Sequence, residues 1–116
     1  MKNVLIVDDS ETCTKILQAF SSKLWFDTIC VSRWNEAINL FKERAFDLIF
    51  MDVHLPDIRW DIAAKEIRKI AQETWRNVLK IIGISASVHT MSFHPEFDEI
   101  LLKPINLQII KNSLNW

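Results

Sequence analysis

Acidic, hydroxyl and basic residues follow the short apolar runs of this sequence. Asp8 and Asp9 follow the first run, Asp52 the third, Ser85 the fourth and Lys103 the fifth. Carboxylates that meet in one place repel one another, and a hard divalent cation such as Mg²⁺ relieves that repulsion. An ammonium and a hydroxyl nearby suit a phosphoryl group better than acyl or glycosyl chemistry. If the fold gathers these side chains, the sequence predicts magnesium-dependent phosphoryl chemistry.

Each of these residues also has an ordinary structural explanation. Asp8 and Asp9 would cap the helix that follows them, because aspartate accepts hydrogen bonds from free backbone N–H groups. Ser85 would be another helix cap, and Lys103 a surface lysine. The chemical interpretation is favoured because all of them occupy the same position, directly after an apolar run.

The apolar runs are continuous rather than alternating, which is typical of strands covered on both faces. They are Val4–Val7, Ile29–Val31, Leu48–Met51, Ile81–Ile84 and Ile100–Leu102. The segments between them carry apolar residues at helical spacing. This alternation predicts an α/β fold, a doubly wound parallel sheet of five strands with helices on both faces. In such a sheet, ligands bind at the carboxyl ends of the strands.

Length and charge narrow the classes of function. The 116 residues fit one domain, spanning 1–116. With 14 basic and 15 acidic residues, the chain has no basic field for direct nucleic-acid binding. No apolar run approaches the roughly 20 residues that span a bilayer, so we expect a cytoplasmic protein without a membrane partner. Cys13 and Cys30 form no CxxC pair, and we expect two buried free thiols rather than a disulfide or a zinc site.

Four segments resemble response-regulator receiver domains, the CheY-like superfamily. They are Val4–Ser10, Leu48–Pro56, Ile82–Ala86 and Leu102–Pro104. Together, the four segments extend the resemblance to essentially the whole chain. The resemblance implies a flavodoxin-like sheet with strand order 2-1-3-4-5.

The resemblance also implies a magnesium site. Asp9 and Asp52 would ligate Mg²⁺ directly, together with the backbone carbonyl of His54. Asp8 would act through a bound water.

The resemblance further implies a phosphoacceptor. Asp52 would be the nucleophile that takes a phosphoryl group from a histidine kinase or phosphotransfer protein. Lys103 would pair with one phosphoryl oxygen, and Ser85 would donate a hydrogen bond to another. The peptide bond before Pro104 is often cis in this family.

Three positions depart from the family pattern. Ile100 stands where an aromatic residue is usual, and Trp34 and Trp60 stand where glycines are common. We expect the two tryptophans either to pack locally or to contact a partner.

The segment from Ser85 to Lys103 is shorter than is usual in the family by nearly one helical turn, about 3 residues. Within it, the β-branched Val88 and Thr90 and the later Pro95 disfavour a regular helix. A fourth helix, between the fourth and fifth strands, is therefore expected to be short or irregular.

Three classes of function remain open on the sequence. The first is a phosphoacceptor switch that alters a surface for an unknown downstream protein, with at most self-phosphorylation and self-dephosphorylation. The second is a pseudo-receiver that keeps the fold and acts as an interaction or dimerisation module without phosphate. The third, an aspartyl-phosphate hydrolase, needs a general-acid carboxylate where His54 stands.

Overall fold

A computed structural model describes residues 3–23, 25–54, 59–73, 80–86 and 97–114. Its strands are β1 Asn3–Val7, β2 Asp27–Val31, β3 Leu48–Asp52, β4 Lys80–Ser85 and β5 Glu99–Leu102. Its helices are α1 Glu11–Lys23, α2 Trp34–Glu43, α3 Trp60–Glu73 and α4 Leu107–Leu114. Every apolar run of the sequence therefore forms a strand, as predicted.

The strands form one parallel sheet in the order β2-β1-β3-β4-β5. This order confirms the expected doubly wound architecture. Strand β3 lies between β1 and β4, and all five of its residues are buried. Its continuous apolar sequence follows from this position, since both faces of a central parallel strand are covered by helices.

Successive side chains of the strands divide the core into two halves, because they point to opposite faces of the sheet. One half contains Leu5 and Met51 and packs against α2 and α3 through residues such as Phe41. The other half contains Phe50 and packs against α1 and α4 through residues such as Leu17. Helices thus cover both faces, as the sequence predicted.

Two short polar side chains define where helices begin. Ser10 Oγ accepts a hydrogen bond from the backbone N–H of Cys13 at 3.3 Å, at the start of α1. Asn106 Oδ1 accepts one from Ile109 N at 2.9 Å, at the start of α4. Both bonds satisfy N–H groups that lack a partner within the helix. Ser10, rather than Asp8 or Asp9, therefore caps α1, and the aspartates remain available for other chemistry.

Some expectations fall outside the described residues. The irregular helix expected between the fourth and fifth strands would lie mostly within 87–96, and the side chain of Trp60 is also outside. No helix in the described ranges is both long enough and apolar enough to cross a bilayer. Both cysteines are free as predicted, but only Cys13 is buried. Cys30 is half-buried because it lies on β2, an edge strand.

Candidate functional site

Three carboxylates meet at the carboxyl edge of the sheet. Asp8 and Asp9 directly follow β1, and Asp52 ends β3, which pairs with β1. One oxygen from each of these aspartates lies within 4.8 Å of the others. Asp8 and Asp52 are buried, whereas Asp9 is exposed. The predicted convergence is therefore present, and it follows from the adjacency of two parallel strands.

Local backbone hydrogen bonds orient the two buried carboxylates. Asp8 Oδ1 accepts a hydrogen bond from Ser10 N at 2.8 Å. In the same way, Asp52 Oδ1 accepts one from His54 N at 2.9 Å. Each bond spans two residues, so the turn that follows each strand also holds the side chain of the aspartate. The second oxygen of each carboxylate, Oδ2, lies near the Lys103 ammonium.

Lys103 supplies the positive charge of the site. Its Nζ lies 3.3 Å from Asp8 Oδ2 and 3.6 Å from Asp52 Oδ2. Its backbone N–H donates to Ser85 O at 2.7 Å, which places the lysine just beyond β5, and the bond from Lys103 to Pro104 is cis. Burial lowers the pKa of Lys103, but the adjacent charges of Asp8 and Asp52 outweigh it, so the pKa is raised. The ammonium is therefore held charged beside the carboxylates.

Ser85 completes the set of predicted phosphoryl contacts. It is fully buried at the end of β4, the strand between β3 and β5. In the sheet register, Asp52 is opposite Ile84 and Ser85 is opposite Leu102. Ser85 thus lies one step beyond the partner of Asp52 and one step before the level of Lys103. His54, by contrast, contributes its backbone N–H, and its side chain is exposed.

The donor set fits a hard divalent cation. Asp8 Oδ2 is buried and accepts no hydrogen bond within the described part of the chain. A buried carboxylate oxygen without a hydrogen bond is costly unless a cation compensates it. Lys103 compensates only part of the charge, since one ammonium faces three carboxylates. Carboxylate oxygens are ligands that Mg²⁺ prefers, so the cluster suits this ion.

Cys13 is a neighbour of the site that the sequence did not reveal. It lies on the buried face of α1. Burial raises the pKa of its thiol to about 12, and the adjacent Asp8 carboxylate contributes to the rise. The helical spacing of Cys13 with Leu17 and Phe20 signals a core position. No sequence pattern identifies Asp8 as its neighbour.

Two of the three residues that depart from the family pattern, Trp34 and Ile100, pack against the rest of the protein. Trp34 is buried at the start of α2, and its Nε1 donates a hydrogen bond to Glu66 Oε2 on α3 at 3.1 Å. Local packing, rather than an exposed partner contact, thus describes Trp34. Ile100 is half-buried against the core half that contains Val53 and Phe97.

Known proteins share both the sequence pattern and the fold. Residues 4–115 match the response regulator receiver domain. The autoinducer 1 sensor kinase/phosphatase LuxN of Vibrio campbellii is 28% identical over 97% of this chain. The chain spans only 13% of the length of LuxN.

Two solved structures extend the comparison. The response regulator TrrA of Thermotoga maritima, crystallised with Mg²⁺-BeF, has a TM-score of 0.82 and 26% identity, covering 99% of this chain and 97% of that chain. A co-crystal of the Saccharomyces cerevisiae phosphotransfer protein Ypd1 and the Ssk1 receiver domain contains a chain with a TM-score of 0.81 and 30% identity, covering 99% and 88%. The chain therefore belongs to the family of response regulator receiver domains of two-component signalling.

Proposed function

We propose that residues 1–116 form one receiver domain that accepts a phosphoryl group on Asp52. The observation that carries this proposal is the environment of its carboxylate. The Lys103 ammonium lies 3.6 Å from Asp52 Oδ2, and oxygens of Asp8 and Asp9 lie within 4.8 Å of an Asp52 oxygen. A phosphoryl group at Asp52 would thus be met by an ammonium and by a cation held among carboxylates.

The other two aspartates are less suited to be the nucleophile. Asp8 has both oxygens within 3.4 Å of Lys103 Nζ. The lysine is therefore closer to both Asp8 oxygens than to Asp52 Oδ2, which lies 3.6 Å from it. Asp9 is exposed, and among the described contacts it makes no ion pair with Lys103. Among the three aspartates, only Asp52 both pairs with Lys103 and lies on the strand that neighbours β4, which ends at Ser85.

We propose that Asp9, Asp52 and the carbonyl of His54 hold Mg²⁺ directly, and that Asp8 holds it through a water. When bound, the ion neutralises charge on the carboxylates and on the phosphoryl oxygens. The buried Asp8 oxygen without a hydrogen bond supports this assignment. So does the similarity to TrrA, which was crystallised with Mg²⁺-BeF.

The chain's own residues then account for the transfer. An Asp52 carboxylate oxygen attacks the phosphorus of a phosphohistidine on the donor protein. The bond from phosphorus to the histidine nitrogen breaks, the nitrogen keeps the electron pair, and an acyl phosphate forms on Asp52. Lys103 pairs with one phosphoryl oxygen, and the Ser85 hydroxyl donates a hydrogen bond to another. The protein's contribution is positioning and charge neutralisation, with little covalent work beyond the nucleophile. Apart from this transfer, self-phosphorylation from small donors and self-dephosphorylation are the only reactions that we assign to the domain.

The donor that we propose is a phosphohistidine on a histidine kinase or a phosphotransfer protein. The similarity to the complex of Ypd1 and Ssk1 supports this class of donor. Phosphorylation adds charge and acceptor oxygens at Asp52, which would alter a surface for a downstream protein. We place these events in the cytoplasm, where the free thiols of Cys13 and Cys30 are stable. The intact set of Asp9, Asp52, Ser85 and Lys103 argues against a pseudo-receiver.

Phosphorylation with a small acyl phosphate tests the proposal. In Mg²⁺, the protein is expected to gain the mass of one phosphoryl group, and peptide mapping is expected to place it on Asp52. Chelation of Mg²⁺ and the substitution Asp52→Asn should each abolish the gain. Asp27→Asn is a matched control, because Asp27 is an exposed aspartate paired only with Arg44 among the described residues at 3.5 Å. A phosphoryl group on another residue, or none on the wild type, would refute the proposal.

A further inference from the structure

Gly83, the only glycine of the chain, lies within β4. This strand lies between β3, which ends at Asp52, and β5. The φ of Gly83 is not positive, so the backbone here does not require glycine. What glycine supplies is space. A Cβ at this position would lie 3.2 Å from Val53 Cγ1, 3.3 Å from Ile100 Cγ1 and 3.4 Å from Phe97 Cδ1. Three apolar side chains thus meet where a side chain is missing.

Val53 connects this junction to the acid site. It directly follows Asp52 and precedes His54, so it stands between two of the groups that we assign to Mg²⁺. Its side chain is buried, and its backbone N–H donates to Ile84 O at 3.0 Å. The turn that follows Asp52 therefore contacts β4 at Gly83 and Ile84, through the side chain and the backbone N–H of Val53.

A methyl group at Gly83 would disturb this support. At 3.2 Å the contact with Val53 Cγ1 is shorter than ordinary van der Waals contact, so Val53 would have to move by a few tenths of an ångström. Close-packed interiors transmit such displacements instead of absorbing them. Mg²⁺ requires near-ideal octahedral geometry, which makes its site sensitive to small shifts of its ligands.

We infer that Gly83 is a positioning residue for the acid site. Because glycine has no side chain, Val53 can pack against β4 at this position. This packing holds Asp52 and the backbone of His54 in the arrangement that binds Mg²⁺. The inference rests on the proposed function and adds a residue to it that contacts neither metal nor phosphate. It also explains why this glycine occurs in a strand interior, where glycine otherwise weakens a strand.

A methyl group at Gly83 could also act on the acid site through Ile100, so the test has to distinguish an effect through Ile100 from one through Val53. Ile100 is opposite Gly83 in the register of β4 and β5, and the space above Gly83 is shared between Ile100 and Val53. A methyl group at Gly83 would press on both neighbours. If Val53 transmits the effect, only truncation of Val53 relieves it.

A set of variants tests the inference by calorimetric titration with Mg²⁺ and by urea unfolding. Gly83→Ala is expected to weaken Mg²⁺ binding roughly tenfold, as for other groups that support metal ligands. Val53→Ala removes the side chain that packs against β4 at Gly83 and should also weaken binding, which keeps the test available if Gly83→Ala does not fold. The double variant Gly83→Ala with Val53→Ala should recover most of the affinity. The matched double variant Gly83→Ala with Ile100→Ala should not.

The combination of readouts separates positioning from stability. The double variant at Val53 is expected to be less stable to urea than Gly83→Ala and yet to bind Mg²⁺ more tightly. Wild-type affinity in folded Gly83→Ala, or recovery by Ile100→Ala instead of Val53→Ala, would overturn the inference and leave the proposed function intact. A wild-type protein that binds no Mg²⁺ would overturn both.

Discussion

The substitution Lys103→Gln probes the balance of charge in the site. Lys103 Nζ lies 3.3 Å from Asp8 Oδ2 and 3.6 Å from Asp52 Oδ2, and the side chain is 21% exposed. At an effective dielectric constant of about 20, each attraction is worth about 5 kcal/mol before desolvation. Removal of one partner from a buried ion pair costs roughly 3 to 5 kcal/mol, because the other charge stays buried and unpaired. We expect the free energy of unfolding to fall by about this amount in the absence of Mg²⁺.

The assay is urea unfolding in EDTA, with Lys15→Gln as the matched control. Lys15 pairs with Glu11 at 3.3 Å, but its side chain is 72% exposed. An exposed pair of this kind contributes about 0 to 1 kcal/mol. Both variants lose one positive charge, so the difference between them isolates the buried environment of Lys103.

Magnesium adds a second readout to the same experiment. Without the ammonium, the carboxylates lack their internal cation, so Lys103→Gln is expected to bind Mg²⁺ more tightly than the wild type. Saturating Mg²⁺ should then restore part of the lost stability, since a ligand that binds only the folded state stabilises it. If Lys103→Gln unfolds like Lys15→Gln in EDTA, or if Mg²⁺ binds it more weakly, our reasoning about the site is wrong.

Three further predictions follow from individual contacts. Asp9→Asn should weaken Mg²⁺ binding, because it removes one carboxylate of the cluster. It should raise the stability of the metal-free protein by up to about 1 kcal/mol, because that carboxylate repels its neighbours. Thermal unfolding with and without Mg²⁺ checks both effects. The pKa of Lys103 is raised above its ordinary value of 10.5, so its ion pairs stabilise the fold fully below pH 10.5. This stabilisation is lost as the pH rises through the higher pKa of the folded state. Urea unfolding across this pH range should show a loss of stability in the wild type that Lys103→Gln lacks. Trp34→Phe should cost about 1 kcal/mol through loss of the hydrogen bond to Glu66, and Glu66→Gln, which keeps an acceptor, should cost less in the same assay.

The sheet and the location of its site were predictable because buried strands carry a strong local pattern. The run Leu48–Met51 is continuous and apolar because β3 is covered on both faces, and Asp52 breaks the run where the strand reaches the edge of the sheet. The same pattern placed Asp8, Asp9, Ser85 and Lys103 at this edge. The strand order, in contrast, came with the family resemblance, since no local pattern states which strands are neighbours.

The contacts that were missed join residues far apart in the chain. Trp34 and Glu66 are 32 residues apart, and nothing in either helix indicates the hydrogen bond between them. The space shared by Val53 and Ile100 becomes visible only when β3, β4 and β5 are side by side. Ser10 as the cap of α1 was missed for a different reason, since Asp8, Asp9 and Ser10 are all good capping residues in sequence.

A crystal structure with Mg²⁺ and beryllofluoride tests the central claim most directly. We expect the ion about 2.0 to 2.1 Å from oxygens of Asp9 and Asp52, with the beryllofluoride on Asp52 and in contact with the Lys103 ammonium. A metal ion bound elsewhere, or a fluoride adduct on another side chain, would contradict the account.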